Sequence, residues 1–128
     1  MCRVLVADDN ADQLRVYQAV LEAGGHEVAL AACTSDAARH AERGAADIIV
    51  MDLKFPNVKG DADTAEGLAL IRRIREGGSA TPIIVLSGWP EDLDGAPEER
   101  MVSRVLVKPV GMAALLGTIR ELVGQAPS

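Results

Sequence analysis

Apolar positions along the chain fall into two alternating patterns. Five short runs are apolar throughout or nearly so: Arg3–Ala7, Glu27–Ala31, Asp47–Met51, Pro82–Leu86 and Arg104–Val107. Past their first position none of the runs carries a polar residue, and the first, third and fourth are read as parallel strands covered on both faces. Between the runs, apolar positions recur at helical spacing. From Ala11 to Ala23, Leu14, Tyr17 and Leu21 share one face, and Gly24-Gly25 stops the helix. Thr34–Arg43 is Ala-rich and ends at Gly44. Asp63-Thr64-Ala65-Glu66 predicts a capping box, with Asp63 capping and Glu66 reaching back. It opens a helix bearing Leu68, Ile71 and Ile74, closed by Gly77-Gly78. Met112, Leu115, Leu116, Ile119, Leu122 and Val123 form the clearest helical stripe. Between Glu91 and Ser103, Gly95 and Pro97 break any long helix, so a short one is expected from Pro97.

Strands and helices that alternate in this way predict an α/β fold: a doubly wound, five-stranded parallel sheet with right-handed crossovers, in the flavodoxin-like order 2-1-3-4-5. The 128 residues suit a single domain with its core over about residues 3–123. The last helix leaves only a few residues, and no effector domain is expected after it.

Composition narrows the partners. Thirteen Lys and Arg against 19 Asp and Glu give a net charge of −6, which disfavours both nucleic acid and an anionic membrane surface. Cys2 and Cys33 have no metal-ligand or redox spacing and are expected to be half-buried thiols in a reducing compartment. No signal-peptide pattern and no membrane-length apolar run are present, so a cytoplasmic location is expected.

In an open α/β sheet, chemistry sits at the carboxyl ends of the strands. Here those ends carry Asp8 and Asp9, then Asp52, then Ser87, then Lys108 followed by Pro109. Taken singly, each has a plainer reading as a helix cap, a turn residue or a surface Lys. Together, at strands one, three, four and five, they describe one site. Three gathered carboxylates repel unless one is protonated or a cation is held among them, and a hard divalent ion such as Mg²⁺ takes oxygen ligands of this kind. Beside such an ion Asp52 has the chemistry of a nucleophile toward a phosphoryl group, with Ser87 and Lys108 contacting its oxygens.

Val4-Leu5-Val6-Ala7-Asp8-Asp9-Asn10, Ile48-Ile49-Val50-Met51-Asp52-Leu53-Lys54-Phe55-Pro56, Ile84-Val85-Leu86-Ser87-Gly88 and Val105-Leu106-Val107-Lys108-Pro109 occur in this order. With these motifs the chain resembles the receiver domain of two-component response regulators from Arg3 to Val123. The resemblance implies a signalling phosphoacceptor rather than an enzyme acting on external substrates. Asp52 would accept a phosphoryl group from phosphohistidine on a sensor histidine kinase or phosphotransfer protein. It implies Mg²⁺ or Mn²⁺ held by Asp8, Asp9, Asp52 and the main-chain carbonyl of Lys54, phosphoryl contacts from Ser87 and Lys108, and a cis bond at Lys108-Pro109.

The chain departs from the family pattern in three places. The connection after Asp52 is longer than usual, and its extra segment, about Asp61 to Gly67, is expected to be a solvated loop plus the capping box. A partner-selecting flap is the sharper alternative. Receivers commonly carry an aromatic on the fifth strand where this chain has Val105, so the switch is expected to run instead through Trp89 and the Gly88–Ala96 loop, with Pro109 beside it. Lys54 and Trp89 lie where the family tunes the lifetime of its acyl phosphate, and a long-lived phosphorylated form is expected.

Competing readings are a receiver acting as a phosphorylation-independent interaction module and a receiver segment of a hybrid histidine kinase. A phosphohydrolase is disfavoured because Lys54 stands where such an enzyme needs a second acid. No phosphate-cradling loop follows the first strand, which argues against a flavin site.

Overall fold

The apolar runs become strands of one sheet because helices cover both of its faces. A computed structural model describes residues 2–89, 91 and 93–124. In chain order it contains β1 (Arg3–Ala7), α1 (Ala11–Ala23), β2 (Glu27–Ala31), α2 (Thr34–Glu42), β3 (Ile48–Asp52), β4 (Phe55–Pro56), β5 (Ala62–Asp63), α3 (Thr64–Glu76), β6 (Ile83–Ser87), a 3-10 segment (Pro97–Met101), β7 (Arg104–Val107) and α4 (Met112–Gly124). The five longer strands pair in parallel as β2-β1-β3-β6-β7, the flavodoxin-like order expected from the sequence.

Alternation along each strand divides the core in two. Leu5, Ala7, Ile49, Met51, Ile83 and Val85 point to one face, where α2 adds Ala37, Ala38 and Ala41 and α3 adds Leu70, Ile71 and Ile74. Val4, Val6, Ile48, Val50, Ile84 and Leu86 point to the other, against Leu14, Tyr17 and Leu21 of α1 and Leu115 and Ile119 of α4. Because both faces are aliphatic, it is the polar residues closing the strands, Asp8 after β1, Asp52 on β3 and Ser87 on β6, that fix register, since a slip would carry one of them into the apolar core.

Two strands run one residue further than the apolar runs. Asp52 still pairs with Leu86, and Ser87 with Val107, so both polar residues sit inside the ladder. Helix α1 is capped by Asn10, whose side chain accepts from the N–H groups of Asp12 and Gln13 at 2.9 and 3.1 Å. Asp63 caps α3 through the Ala65 N–H at 2.9 Å, as expected. The return contact from Glu66 is not found among the described residues.

The segment about 61–67 is not the solvated loop expected of it. β4 and β5 pair as an antiparallel ribbon, and α3 begins directly after it at Thr64. Asn57 makes the ribbon possible by satisfying the N–H groups of Lys59 and Asp61 at its turn, a local signal not recognised in the sequence. The cysteines also differ from expectation: neither is half-buried, since Cys2 is buried against His26 and Cys33 is exposed.

Gly67, in the first turns of α3, sits against the backbone that follows Asp52. A Cβ there would lie 1.9 Å from the Leu53 carbonyl oxygen, so only Gly permits this approach. Farther along α3, Arg72 donates to Glu98 at 2.5 Å, and Arg75 donates to the carbonyls of Met101, Ser79 and Thr81 at 2.9, 3.0 and 2.7 Å. The short 3-10 segment that replaces a fourth crossover helix is therefore clamped to α3. The hydrogen bond from Arg72 holds the Glu98 carboxyl below its ordinary value.

Two outcomes follow from this packing. Gly67→Ala is expected to cost about 1–3 kcal/mol, read from the urea midpoint, because the clash is with backbone and not with a movable side chain. The Arg72–Glu98 pair adds stability above the ordinary Glu range and loses it as pH falls through the lowered Glu98 value. Arg72→Ala should therefore cost about 1 kcal/mol at neutral pH, and the deficit should shrink toward acid in pH-dependent denaturation curves.

Candidate functional site

Each polar strand tip is delivered by a different element. Past β1 the chain turns through Asp8-Asp9-Asn10 into α1. Asp8 is buried, its N–H donates to the Ala31 carbonyl at 3.1 Å, and its Oδ1 accepts from the Asn10 N–H at 2.9 Å. Asp9 is exposed and Asp52, at the end of β3, is partly buried. One carboxylate oxygen from each of Asp8, Asp9 and Asp52 lies within 4.8 Å of the others.

Lys108, just past β7, closes the site from the far side of β6. Its N–H donates to the Ser87 carbonyl at 2.9 Å, and its Nζ donates to Asp52 Oδ2 at 2.9 Å. The Lys108-Pro109 bond is cis, as the resemblance implied. Ser87 is buried and its Oγ accepts from the Trp89 N–H at 3.0 Å, which leaves the hydroxyl hydrogen to be donated elsewhere.

The electrostatics are unbalanced toward negative charge. Burial pushes the Asp8 carboxyl above its usual value, against the Asn10 hydrogen bond, and the charges of Asp52 and Asp9 push the same way. Burial also works against the charge on Lys108, but its hydrogen bond to Asp52 and the charges of Asp52 and Asp8 outweigh it and hold the ammonium above its usual pKa. Among the described residues the Lys108 ammonium is thus the cation bonded to this group of three carboxylates. This donor set fits a divalent ion with oxygen ligands.

Of the remaining residues singled out in the sequence, the Lys54 N–H donates to Asp52 Oδ1 at 3.3 Å, and its ammonium lies 5.9 Å from the centroid of the Trp89 ring. Trp89 is 57% exposed and stands with Lys54 at the rim of the site. Pro109 is exposed. Val105 is not at the site: it pairs with Val85 and packs into the core on the α2–α3 side. Within the Gly88–Ala96 loop, Pro90 and Asp92 lie outside the described residues.

Three residues of the site region escaped the sequence reading as functional. Asn10 orders the acidic turn and caps α1 at once. Its position after two Asp residues and before a helix was the available signal. Tyr17 was read as core, and it is buried, yet it lines a cleft of about 440 Å³ with Gln13, Lys108, Pro109, Val110 and Met112. Burial raises its phenol, and Lys108, Asp8 and Asp52 all act on it electrostatically. Gly67 gave no signal, because its necessity comes from a distant stretch of backbone. A smaller and more apolar cavity, about 140 Å³, is lined by Val4, Val28 and His40 and by the exposed Arg3–Glu27 ion pair at 3.8 Å, and it gathers no group of carboxylates like that at the strand tips among the described residues.

Comparison with known proteins agrees with this geometry. The family model described as the response regulator receiver domain matches residues 4–120. The chain is 29% identical to the protein PilH of Pseudomonas aeruginosa over 96% of this chain and 98% of PilH. It is 31% identical to the transcriptional regulatory protein PrrA of Mycobacterium tuberculosis, covering 94% of this chain but 49% of PrrA. It is 32% identical to the CAI-1 autoinducer sensor kinase/phosphatase CqsS of Vibrio cholerae, covering 94% of this chain and 17% of CqsS. Among solved structures, a receiver domain protein from Clostridium thermocellum superposes with a TM-score of 0.83 at 22% identity, covering 98% of this chain and 96% of that one. The receiver domain of the sensor histidine kinase PA1611 from P. aeruginosa, solved with magnesium coordinated in its active site cleft, superposes at 0.75 with 29% identity, covering 97% and 98% of the two chains. Strand order, acidic cluster and sequence match agree: this chain belongs to the response regulator receiver domain family of two-component systems.

Proposed function

We propose that this chain is a phosphoacceptor, taking a phosphoryl group on Asp52 from phosphohistidine of a sensor histidine kinase or phosphotransfer protein and passing the signal on by protein–protein contact. The observation that carries this reading is the Lys108 ammonium on Asp52 Oδ2 at 2.9 Å, beside the carboxylates of Asp8 and Asp9. An Asp52 oxygen attacks phosphorus, the bond from phosphorus to the donor's imidazole nitrogen breaks, and the electron pair stays on that nitrogen. Lys108 shifts from the free carboxylate to a phosphoryl oxygen, and the Ser87 hydroxyl donates to another. Asp8, Asp9, Asp52 and the Lys54 carbonyl are the groups proposed to hold Mg²⁺ or Mn²⁺. When bound, such an ion offsets the acidic charge and that of the phosphoryl oxygens.

The intact set of acceptor, acids, hydroxyl and ammonium disfavours a module that binds partners without phosphorylation. A free-standing regulator and a receiver segment of a hybrid kinase both remain in keeping with the relatives, which include PilH matched along 98% of its length and CqsS matched along 17%. No helix among the described residues is long and apolar enough to cross a membrane. The switch is proposed to use Trp89 and the Gly88–Ala96 loop, because Val105 offers no aromatic ring to rotate.

Intact-mass spectrometry after acetyl phosphate and Mg²⁺ should show a single added phosphoryl group. Asp52→Asn and metal chelation should each abolish it, and Lys108→Ala should slow labelling by about 100-fold. Labelling that survived Asp52→Asn would overturn the assignment. The Lys54–Trp89 pair, 5.9 Å apart beside Asp52, is proposed to hinder the approach of water to the acyl phosphate. Lys54→Ala or Trp89→Ala should shorten the phosphorylated half-life by about two- to fivefold, measured by phosphate release, as loss of one exposed cation–π contact implies.

A further inference from the structure

The ribbon formed by β4 and β5 adds no residue to the acidic cluster, yet it begins only three residues after Asp52. Phe55, three residues after Asp52, is buried in the core and anchors the base, and Asp63 ends the ribbon as the cap of α3. Between them, Pro56, Val58, Lys59, Gly60, Asp61 and Ala62 are exposed. Val58 is 102% exposed, an apolar side chain left fully open to solvent.

This tip is built, not merely unpacked. The Asn57 N–H donates to the Asp61 carbonyl at 2.9 Å, and the Gly60 N–H donates to the Asn57 carbonyl at 2.9 Å. Asn57 Oδ1 accepts from the Lys59 and Asp61 N–H groups at 2.9 and 3.1 Å, and Asn57 Nδ2 donates to Asp63 Oδ2 at 3.3 Å. Gly60 takes φ 85°, the left-handed conformation the turn requires. Asp63 is held below its ordinary pKa, first by the Ala65 N–H and then by Asn57. An exposed apolar residue on a turn ordered in advance loses little conformational entropy when a partner covers it.

We infer that the Asn57–Asp61 tip is a docking element for the protein that donates the phosphoryl group, and that it selects among donors. The inference rests on Asp52 being the acceptor. A donor protein that brings a phosphohistidine to Asp52 must cover the surroundings of that residue, and the ribbon begins three residues beyond it, whereas a small phosphodonor need not touch the ribbon. The fitting partner presents, beside its phosphohistidine, an apolar depression for Val58 and a carboxylate for Lys59. The ribbon is then a specificity element and contributes nothing to the transfer chemistry.

The test compares the unaltered chain with Val58→Asp, Lys59→Glu and a variant in which residues 57–61 are replaced by Gly-Gly. Each is phosphorylated by acetyl phosphate with Mg²⁺ and by a fixed panel of purified, autophosphorylated histidine kinase cores. Circular dichroism and thermal melting check that each variant is folded. Acetyl phosphate labelling should stay within about twofold for all of them, while transfer rates across the panel should change by about tenfold or more for some donors and not others, the size expected for loss of one interface anchor. If every donor's rate follows the acetyl phosphate rate, including a panel unchanged by all three variants, the ribbon is not a docking element. Absence of acetyl phosphate labelling in the unaltered chain would instead remove the acceptor assignment beneath it.

Discussion

The structure is organised around an unfavourable encounter: three carboxylates held at the ends of neighbouring strands with one ammonium to offset them. In water these side chains would separate. Here the backbone leaves them no room to do so, because Asp8 is tied to β2 and α1 through its own N–H and that of Asn10, and Asp52 is still paired within the sheet. Burial raises the cost for Asp8 above that of a surface acid. A group that brings positive charge or spreads negative charge over more oxygens finds its partners already in position. That preorganisation is what the two-faced aliphatic core provides.

The same tip is tied mechanically to a distant surface. Leu53 follows Asp52 and bears directly on α3 through Gly67. Helix α3 in turn grips the 3-10 segment through Arg72 and Arg75. Buried Glu98 with a guanidinium partner is worth keeping only if both groups stay in register, since either one alone would leave a charge unmatched. The backbone at the proposed acceptor, α3 and the 97–101 segment thus form one continuous set of contacts on a single side of the sheet.

The fold was legible because its signals are periodic and long. Continuous aliphatic runs marked both-sided strands, the Leu14–Tyr17–Leu21 stripe and Gly24-Gly25 bounded α1, and the polar strand tips pointed to the three acids and the ammonium that the fold brings together. Features that depend on one residue answering another far away were not legible. Gly67 is required by the Leu53 carbonyl, and Tyr17 reaches the site only because α1 passes over β1. The ribbon lay between these cases. Asn57 and Gly60 are ordinary turn residues, but a two-residue strand on either side has no period to detect, and the segment read as loop.

Val105 and the 3-10 segment belong to one argument about output. A receiver with an aromatic on its last strand can carry a signal by turning that ring between buried and exposed positions. Val105 has no such choice: it is a β-branched side chain packed on the α2–α3 side with Met101 and Val102 nearby in the same core. The segment that would have to move with it is held by two arginines. Movement at that face costs the Arg72–Glu98 hydrogen bond and several backbone contacts together, whereas exposed Trp89 is held by the Ser87 hydrogen bond and the Lys54 contact, with buried Leu93 anchoring the loop farther along. The stiff side of the molecule is therefore the one that holds the site in shape. The rim, where exposed Trp89 donates its N–H to Ser87, is the part proposed to answer a change at Asp52.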